Sequence, residues 1–366
     1  MIIITTQCFP PKLGGIENLM GGLAQSLAAQ GKTVKVYADS SKEPARFTDF
    51  SVERFGGFKP LRRLRKAWTV ALASKAEGVE GIFADSWKSI EHLGRASVPV
   101  SVLAHGMEFP ASPSPAKARR IRTALARANS VIASSSYTAS LASPYLDPAR
   151  TRLVVINPPI GPQPTAPEEE LAVLRQITAD RGPVIATLSR LEPRKGIDSV
   201  LDALPALLAR HPSLIYLVAG GGDDRPRLEA LARERGVEHA VRFLGPLDAG
   251  RKAALYSVAD VFAMPTRREG NSVEGFGIVY LEAAWYGLPA LATRDGGAVD
   301  AVREGETGLL CLPRDIDDVA EKIDRLINDA RGPRRLAEAA RKRAHGEAQW
   351  TARVQEYLAT LRQNHS

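Results

Sequence analysis

Met264-Pro265-Thr266-Arg267-Arg268-Glu269-Gly270-Asn271-Ser272-Val273-Glu274-Gly275-Phe276-Gly277-Ile278-Val279-Tyr280-Leu281-Glu282 is the stretch on which the reading of this chain turns. It follows an apolar run, Asp260-Val261-Phe262-Ala263, that predicts a buried strand, and it leads into an apolar helix that Gly287 and Pro289 stop. The stretch is therefore a strand–loop–helix corner. Glu274 and Glu282 bracket it eight residues apart. On one unbroken helix that spacing would turn them roughly 80° apart, so Glu274 is placed in the loop and Glu282 one or two turns into the helix. The glycines between them leave backbone N–H groups at a helix N-terminus, where oxygen-rich and anionic ligands are held. The alternative is a pair of surface glutamates beside a buried helix.

Outward from this corner, the 366 residues and their 44% hydrophobic content suffice for two domains of ordinary size. No run is long and apolar enough to cross a bilayer, and the start, Met1-Ile2-Ile3-Ile4-Thr5-Thr6, lacks the basic opening of a signal peptide. A soluble, cytoplasmic protein is expected. Cys8 and Cys311 have no metal or redox spacing and read as small buried apolar residues. The net charge of +8 is uneven. Residues 1–165 hold 21 Lys and Arg against 11 Asp and Glu, a net +10, which leaves 28 against 30, or −2, for the rest. The N-terminal half thus expects a negative partner, a membrane surface or an anionic substrate.

Short β-rich runs alternate with helical patterns through the first 160 residues, the mark of a parallel sheet covered by helices. The predicted strands are 2–6, 33–37, 81–84, 98–104, 130–133 and 153–156. Gly14-Gly15 opens the first helix, where a backbone can approach a ligand. From Pro60 to Ser74, Leu61, Leu64, Trp68 and Leu72 recur at helical spacing with Arg62, Arg63, Arg65 and Lys66 between them. This is either an interfacial helix lying on anionic lipid or a core-facing helix with a solvated basic face. A second basic helix starts at Ser114-Pro115. His105-Gly106 follows the strand 101–104 directly, at the carboxyl end where ligands bind in parallel sheets.

Residues 158–170 are rich in proline, end on three glutamates and read as a linker, with a helix after them. A second α/β series follows, with strands 184–188, 214–219, 241–244, 260–263, 290–293 and 307–311. Three of its strand ends repeat one device. Arg190 and Lys195-Gly196 follow the first, a planar fork and a point charge suited to a diphosphate. Gly220-Gly221-Gly222 follows the second, and the opening corner is the third. A ligand is expected in a cleft between two doubly wound α/β halves.

With Gly14-Gly15, His105-Gly106, Arg190 with Lys195-Gly196, Glu274 with Glu282, and Gly296-Gly297 in place, the chain resembles glycosyltransferase family 4 over nearly its whole length. These are retaining nucleotide-sugar transferases of GT-B architecture. The resemblance implies an N-terminal acceptor-binding Rossmann-like domain over 1–160, a donor-binding one over 161–345, and a C-terminal helix, 346–366, crossing back to the first. Arg190 and Lys195 would hold the donor diphosphate and stabilise its departure, and Glu282 would bind the ribose. Glu274, the N–H groups of Gly275, Phe276, Gly277 and Ile278, Gly221 and Gly15 would cradle the donor, with His105 near the reacting carbon. The catalytic set is thus His105, Arg190, Lys195 and Glu274. The residues leading into Glu274 resemble bacterial mannosyltransferases acting on lipid acceptors. The implied reaction moves a hexose, best read as mannose from GDP-mannose, otherwise a UDP-hexose, to a glycan or lipid-linked acceptor in polysaccharide, lipopolysaccharide or glycolipid synthesis. The chain departs from the family in having Asn157-Pro158-Pro159 where Asn-Gly is frequent and Asp300 where glutamate is usual.

Neither a metal nor another cofactor is expected, the cations of Arg190 and Lys195 taking a metal's place. Arg62, Arg63, Arg65, Lys66 and Trp68 form the expected membrane or acceptor patch, with peripheral attachment at the inner face of the plasma membrane. A nicotinamide oxidoreductase would need Gly-x-Gly-x-x-Gly after a first strand, which is missing. A pyridoxal-dependent phosphorylase finds no support. A binder that kept the fold without activity is disfavoured by the intact Arg190, Lys195, Glu274 and Glu282 set. No nucleic-acid partner is expected.

Overall fold

The computed structural model describes all residues except Leu13, 42–46, Ala111, 332–333 and 363–366. Strands β1 (Ile2–Thr6), β2 (Val34–Asp39), β3 (Ser51–Phe55), β4 (Gly81–Ala84), β5 (Val100–Ala104), β6 (Ser130–Ala133) and β7 (Arg152–Val155) form one seven-stranded sheet in the order β3-β2-β1-β4-β5-β6-β7. Every pairing in it is parallel. Helices α1 (Gly15–Ala29), α2 (Lys59–Ala73), α3 (Trp87–Ile90), α4 (Pro115–Leu125) and α5 (Ser136–Ala142) connect the strands. Strands β1, β4, β5 and β6 are buried along their whole length, as a parallel sheet covered on both faces requires. The sequence reading misses β3. Its Ser51 and Glu53 are exposed and it forms the sheet's edge, so no continuous apolar run announces it.

The second sheet, also parallel, holds β8 (Val184–Leu188), β9 (Ile215–Ala219), β10 (Val241–Gly245), β11 (Val261–Ala263), β12 (Ala290–Thr293) and β13 (Gly308–Cys311) in the order β10-β9-β8-β11-β12-β13. Helices α6 (Glu168–Ile177), α7 (Ile197–Arg210), α8 (Arg225–Glu234), α9 (Ala249–Val258), α10 (Ile278–Trp285), α11 (Ala298–Ala301), α12 (Ile316–Arg331) and α13 (Arg335–His345) accompany it. Glu168, Glu169 and Glu170 form the first turn of α6 rather than preceding it, because carboxylates are stabilised at the positive end of a helix.

By its internal contacts the chain divides into one unit of Met1–Gly161 with Gln349–Ser366 and another of Pro162–Ala348. The last helix, α14 (Trp350–Ala359), belongs to the first unit. It packs on α1 where Gly22 leaves room, since any side chain there would run into the Trp350 indole. Thr360 Oγ1 then meets Ser101 Oγ on β5 at 2.8 Å. The expected C-terminal return is thus present. In each sheet the strand order reverses once, between β1 and β4 and between β8 and β11. Carboxyl ends flanking such a reversal are where α/β sheets bind ligands.

Candidate active site

In the second unit, the loops after β8 and β11 flank the reversal and carry the predicted residues. After Ser189, the chain makes a single 3₁₀ turn at Pro193–Lys195 and enters α7 through Gly196, which is left-handed (φ 71°). A side chain at Gly196 would collide with the Pro265 carbonyl, so glycine lets the two loops touch backbone to backbone. Arg267 locks them together. Its N–H donates to the Arg194 carbonyl at 2.9 Å, and its guanidinium grips both oxygens of Asp198 on α7, at 2.5 and 2.8 Å. Burial opposes ionisation of Asp198, yet Arg267 and Arg227 hold its carboxyl below the usual range. Arg267, in the stretch that leads into Glu274, is therefore a buried fastener.

Glu274 lies four residues before α10 and Glu282 in that helix's second turn, as the spacing predicts. Gly296 clasps Glu274 from a third loop: a Cβ there would sit 2.7 Å from the Glu274 carbonyl, and the Gly297 N–H donates to that carbonyl at 2.8 Å. The Glu274 carboxylate accepts from Lys195 Nζ and, at 3.1 Å, from Arg194 Nη1. Burial pushes its proton affinity up, but Lys195 and Arg194 outweigh it and hold the carboxyl at about 2. Arg194 is absent from the sequence reading. A basic residue beside Lys195 on a single 3₁₀ turn was the available signal.

Arg190 does not join this cluster directly. It is exposed, and its Nη1 lies 3.2 Å from Glu192 Oε1, whose other oxygen takes Arg194 Nε at 2.9 Å. A chain of alternating charge thus runs from Arg190 through Glu192 and Arg194 to Glu274. Glu282 is buried, and Lys252 on α9, also missed by the sequence reading, donates to its Oε1 at 2.9 Å. Gly275, Phe276 and Gly277 precede Ile278, the first residue of α10, with Gly277 left-handed at φ 87°. Gly221 has a structural task, its carbonyl accepting from the Leu191 N–H at 2.9 Å. Side chains at Gly220 and Gly222 would strike the Ser189 and Leu191 carbonyls, so this run seats the Arg190 loop.

The first unit builds its reversal around Asp85, immediately after β4. One carboxylate oxygen accepts from the Thr6 hydroxyl at 2.9 Å, the Gln7 N–H at 2.8 Å and the Cys8 N–H at 3.3 Å. The other accepts from the Ser89 hydroxyl at 2.5 Å. The Asp85 carbonyl faces His105 Nε2 at 2.8 Å, so that nitrogen carries the proton and Nδ1 keeps its lone pair when the ring is neutral. Gly15 begins α1 just beyond the loop that Asp85 holds. Cys8 is half-buried rather than buried, while Cys311 is buried; both are free thiols, and burial pushes each up to about 12.

Helix α2 corrects the predicted patch. It packs through Lys66, Ala67 and Val70, and its apolar stripe faces away from the unit: Leu61 is 60% exposed, Trp68 67%, and Phe58 just before the helix 72%. Lys66, 2% exposed, is no part of a surface patch. Its ammonium donates to Asp39 at 2.7 Å and to the Thr6 carbonyl at 2.6 Å. Arg62 reaches the same Asp39 at 3.0 Å, Arg63 donates to the Gln7 side chain at 2.7 Å, and Arg65 is exposed. Among the described residues, no group of three or more His, Cys, Asp or Glu is arranged to hold a metal ion.

Residues 13–163 match the profile of Glycosyltransferase Family 4 and residues 174–343 that of Glycosyl transferases group 1. The chain belongs to glycosyltransferase family 4. A family relative, the GDP-mannose-dependent alpha-(1-6)-phosphatidylinositol monomannoside mannosyltransferase of Mycobacterium tuberculosis, is 31% identical over 95% of this chain and 94% of its own. The GDP-mannose-dependent monoacylated alpha-(1-6)-phosphatidylinositol monomannoside mannosyltransferase of Corynebacterium glutamicum is 40% identical over 51% of this chain and 49% of its own. The fold is that of Anabaena HepE in complex with UDP (TM-score 0.77, 23% identity, 98% of this chain and 99% of that one). It is equally that of sucrose-phosphate synthase from Thermosynechococcus elongatus (TM-score 0.77, 22% identity, 97% of each chain). Family 4 membership makes this a retaining glycosyltransferase of GT-B fold, as the motif set implies.

Proposed function

We propose that this protein transfers a mannosyl residue from GDP-mannose to a mannosylated phosphatidylinositol or kindred lipid-linked acceptor, with retention at the anomeric carbon. The observation that carries the reading is its likeness, over nearly the whole of both chains, to mannosyltransferases so named. The second unit takes the donor and the first the acceptor. In the reaction the bond from the sugar's anomeric carbon to the diphosphate breaks, and the acceptor hydroxyl attacks the oxocarbenium-like centre on the face the leaving group vacates. The hydroxyl proton passes to a departing phosphate oxygen, giving GDP and the glycosylated acceptor.

Negative charge grows on the diphosphate as the bond breaks, so cations set there lower the barrier. Lys195 and Arg190 are assigned to it, which requires each to leave a carboxylate: Lys195 from Glu274, Arg190 from Glu192. Glu274 then accepts hydrogen bonds from sugar hydroxyls, supported by the N–H groups from Gly275 to Ile278, and Glu282 accepts from the ribose through the oxygen that Lys252 leaves. His105, with Nδ1 open, and Gly15 are the contributions assigned to the first unit.

A lipid acceptor is met at a membrane surface. Among the described residues no helix is long and apolar enough to cross one. The exposed Phe58, Leu61, Leu64, Trp68 and Leu72 along α2, with Arg65 beside them, support peripheral seating on anionic lipid at the cytoplasmic face. A thermal-shift series with GDP, UDP, ADP and their sugars tests the donor, followed by nucleotide release with lipid-linked acceptors. GDP and GDP-mannose are expected to raise the melting temperature; a rise with UDP and none with GDP overturns the donor assignment.

A further inference from the structure

Glu274 has two cationic partners, and they are held very differently. Lys195 contributes a flexible ammonium, and it is the group that a donor diphosphate draws away. Arg194 is as buried as Lys195 but fastened on several sides. Its Nε donates to Glu192 at 2.9 Å, its Nη1 to Glu274 at 3.1 Å, and its carbonyl accepts from the Arg267 N–H at 2.9 Å. Arg267 is itself clamped on Asp198. A guanidinium fixed between two carboxylates cannot follow a ligand as a lysine can.

The consequence appears when the donor arrives. Lys195 exchanges Glu274 for the diphosphate, so the buried carboxylate loses one cation while phosphate charge comes near. Both changes favour protonation, and a protonated Glu274 would offer a donor where the sugar hydroxyls need an acceptor. The other neighbours cannot compensate. Tyr280 on α10 donates its hydroxyl to the Met264 carbonyl at 2.5 Å, and the Gly296-Gly297 loop brings backbone. Asp295 in that loop accepts from the Arg268 N–H at 3.0 Å, and Glu192 is negative. We propose that Arg194 is the resident counter-ion of Glu274, a positioning residue that keeps the carboxylate ionised and oriented while Lys195 moves to the diphosphate. This rests on the reading of Glu274 as the carboxylate that meets the donor sugar.

The test follows the Glu274 carboxyl by ¹³C NMR in protein labelled at glutamate, its resonance assigned with Glu274→Gln, in the free protein and with GDP added. In Arg194→Gln the carboxyl is expected to titrate about 1–3 pH units above wild type, and higher again with GDP. Arg194→Lys, which keeps the charge and guards against a mere folding defect, restores the wild-type titration. The acid limb of nucleotide release from GDP-mannose should rise in step. Titration in folded Arg194→Gln at the wild-type pH, free and with GDP, overturns the proposal. GDP that leaves every spectrum unchanged counts against the donor reading instead, and the free-protein titration then decides the role of Arg194.

Discussion

Asp85 and Glu274 occupy matching places. Each follows the strand on the far side of a sheet's reversal, β4 in one unit and β11 in the other, and each reaches the loop of the neighbouring first strand. What they hold differs. Asp85 accepts from two backbone N–H groups and from hydroxyls of its own unit, all fixed by the chain. Glu274 accepts from two cationic side chains, one of them a lysine. A carboxylate held by backbone N–H groups and neighbouring hydroxyls is committed to the fold, whereas one held by a movable cation can be lent to a ligand. A carboxylate at the matching point of each sheet is thus held by the chain in one unit and by movable side chains in the other.

The comparison breaks if the two sites respond alike to substitution. The largest effect is expected on turnover in the second unit. Lys195→Ala and Arg190→Ala should each lower nucleotide release from GDP-mannose by about 10²–10³-fold, the scale for removing charge stabilisation of a leaving group. Arg190→Ala should keep an unfolding midpoint close to wild type, because Arg190 is exposed; Lys195→Ala should lose some stability as well, because it takes one of two cations from the buried Glu274. Near-normal rates in both variants would remove the assigned roles. Asp85→Ala is expected to do the reverse. It strands several buried donors at about 1–3 kcal/mol each, so the urea midpoint falls sharply, while Asp85→Asn, which keeps an acceptor, loses less. A stable Asp85→Ala protein would show that the loop after β1 does not depend on that carboxylate.

Family, fold and most strand positions were legible because buried parallel strands leave uninterrupted apolar runs and because Gly196, Gly277 and Gly296 stand where only glycine fits. Partners were not legible. That Lys195 turns to Glu274 and Arg190 to Glu192 depends on which way a 3₁₀ turn directs neighbouring side chains. Helix α2 shows the limit most plainly. Periodicity locates its apolar stripe but says nothing of which face meets the core, and here Lys66 goes inward because Asp39 and the Thr6 carbonyl await it.

A smaller effect sharpens the contrast through pH. With its carboxyl held at about 2 in the folded protein against an ordinary value of 4.5, Glu274 contributes stability that is full above the ordinary value. That contribution is lost as pH falls from about 4.5 through about 2. Glu274→Gln has no such group, so its urea midpoint should close on that of wild type across this window. A constant gap between the two proteins would mean that Lys195 and Arg194 do not depress the carboxyl.

The smallest effect carries the same distinction onto α2, where Lys66 is committed to the fold and Arg65 is exposed. One lysine or arginine near an anionic surface is worth about 1 kcal/mol, so Arg65→Glu should weaken binding to phosphatidylserine vesicles several-fold at low salt and hardly at high salt. Trp68→Ser should weaken it at both, because apolar burial is not screened by ions. Neither should shift the unfolding midpoint. Lys66→Met should shift it, since Asp39 then keeps only Arg62 of its two cationic partners, and the folded fraction should bind vesicles as wild type does. If Lys66→Met weakened vesicle binding as much as Arg65→Glu with no loss of stability, charge facing the core and charge facing lipid would be interchangeable on this helix. The orientation of α2 would then have no bearing on how the protein finds its acceptor.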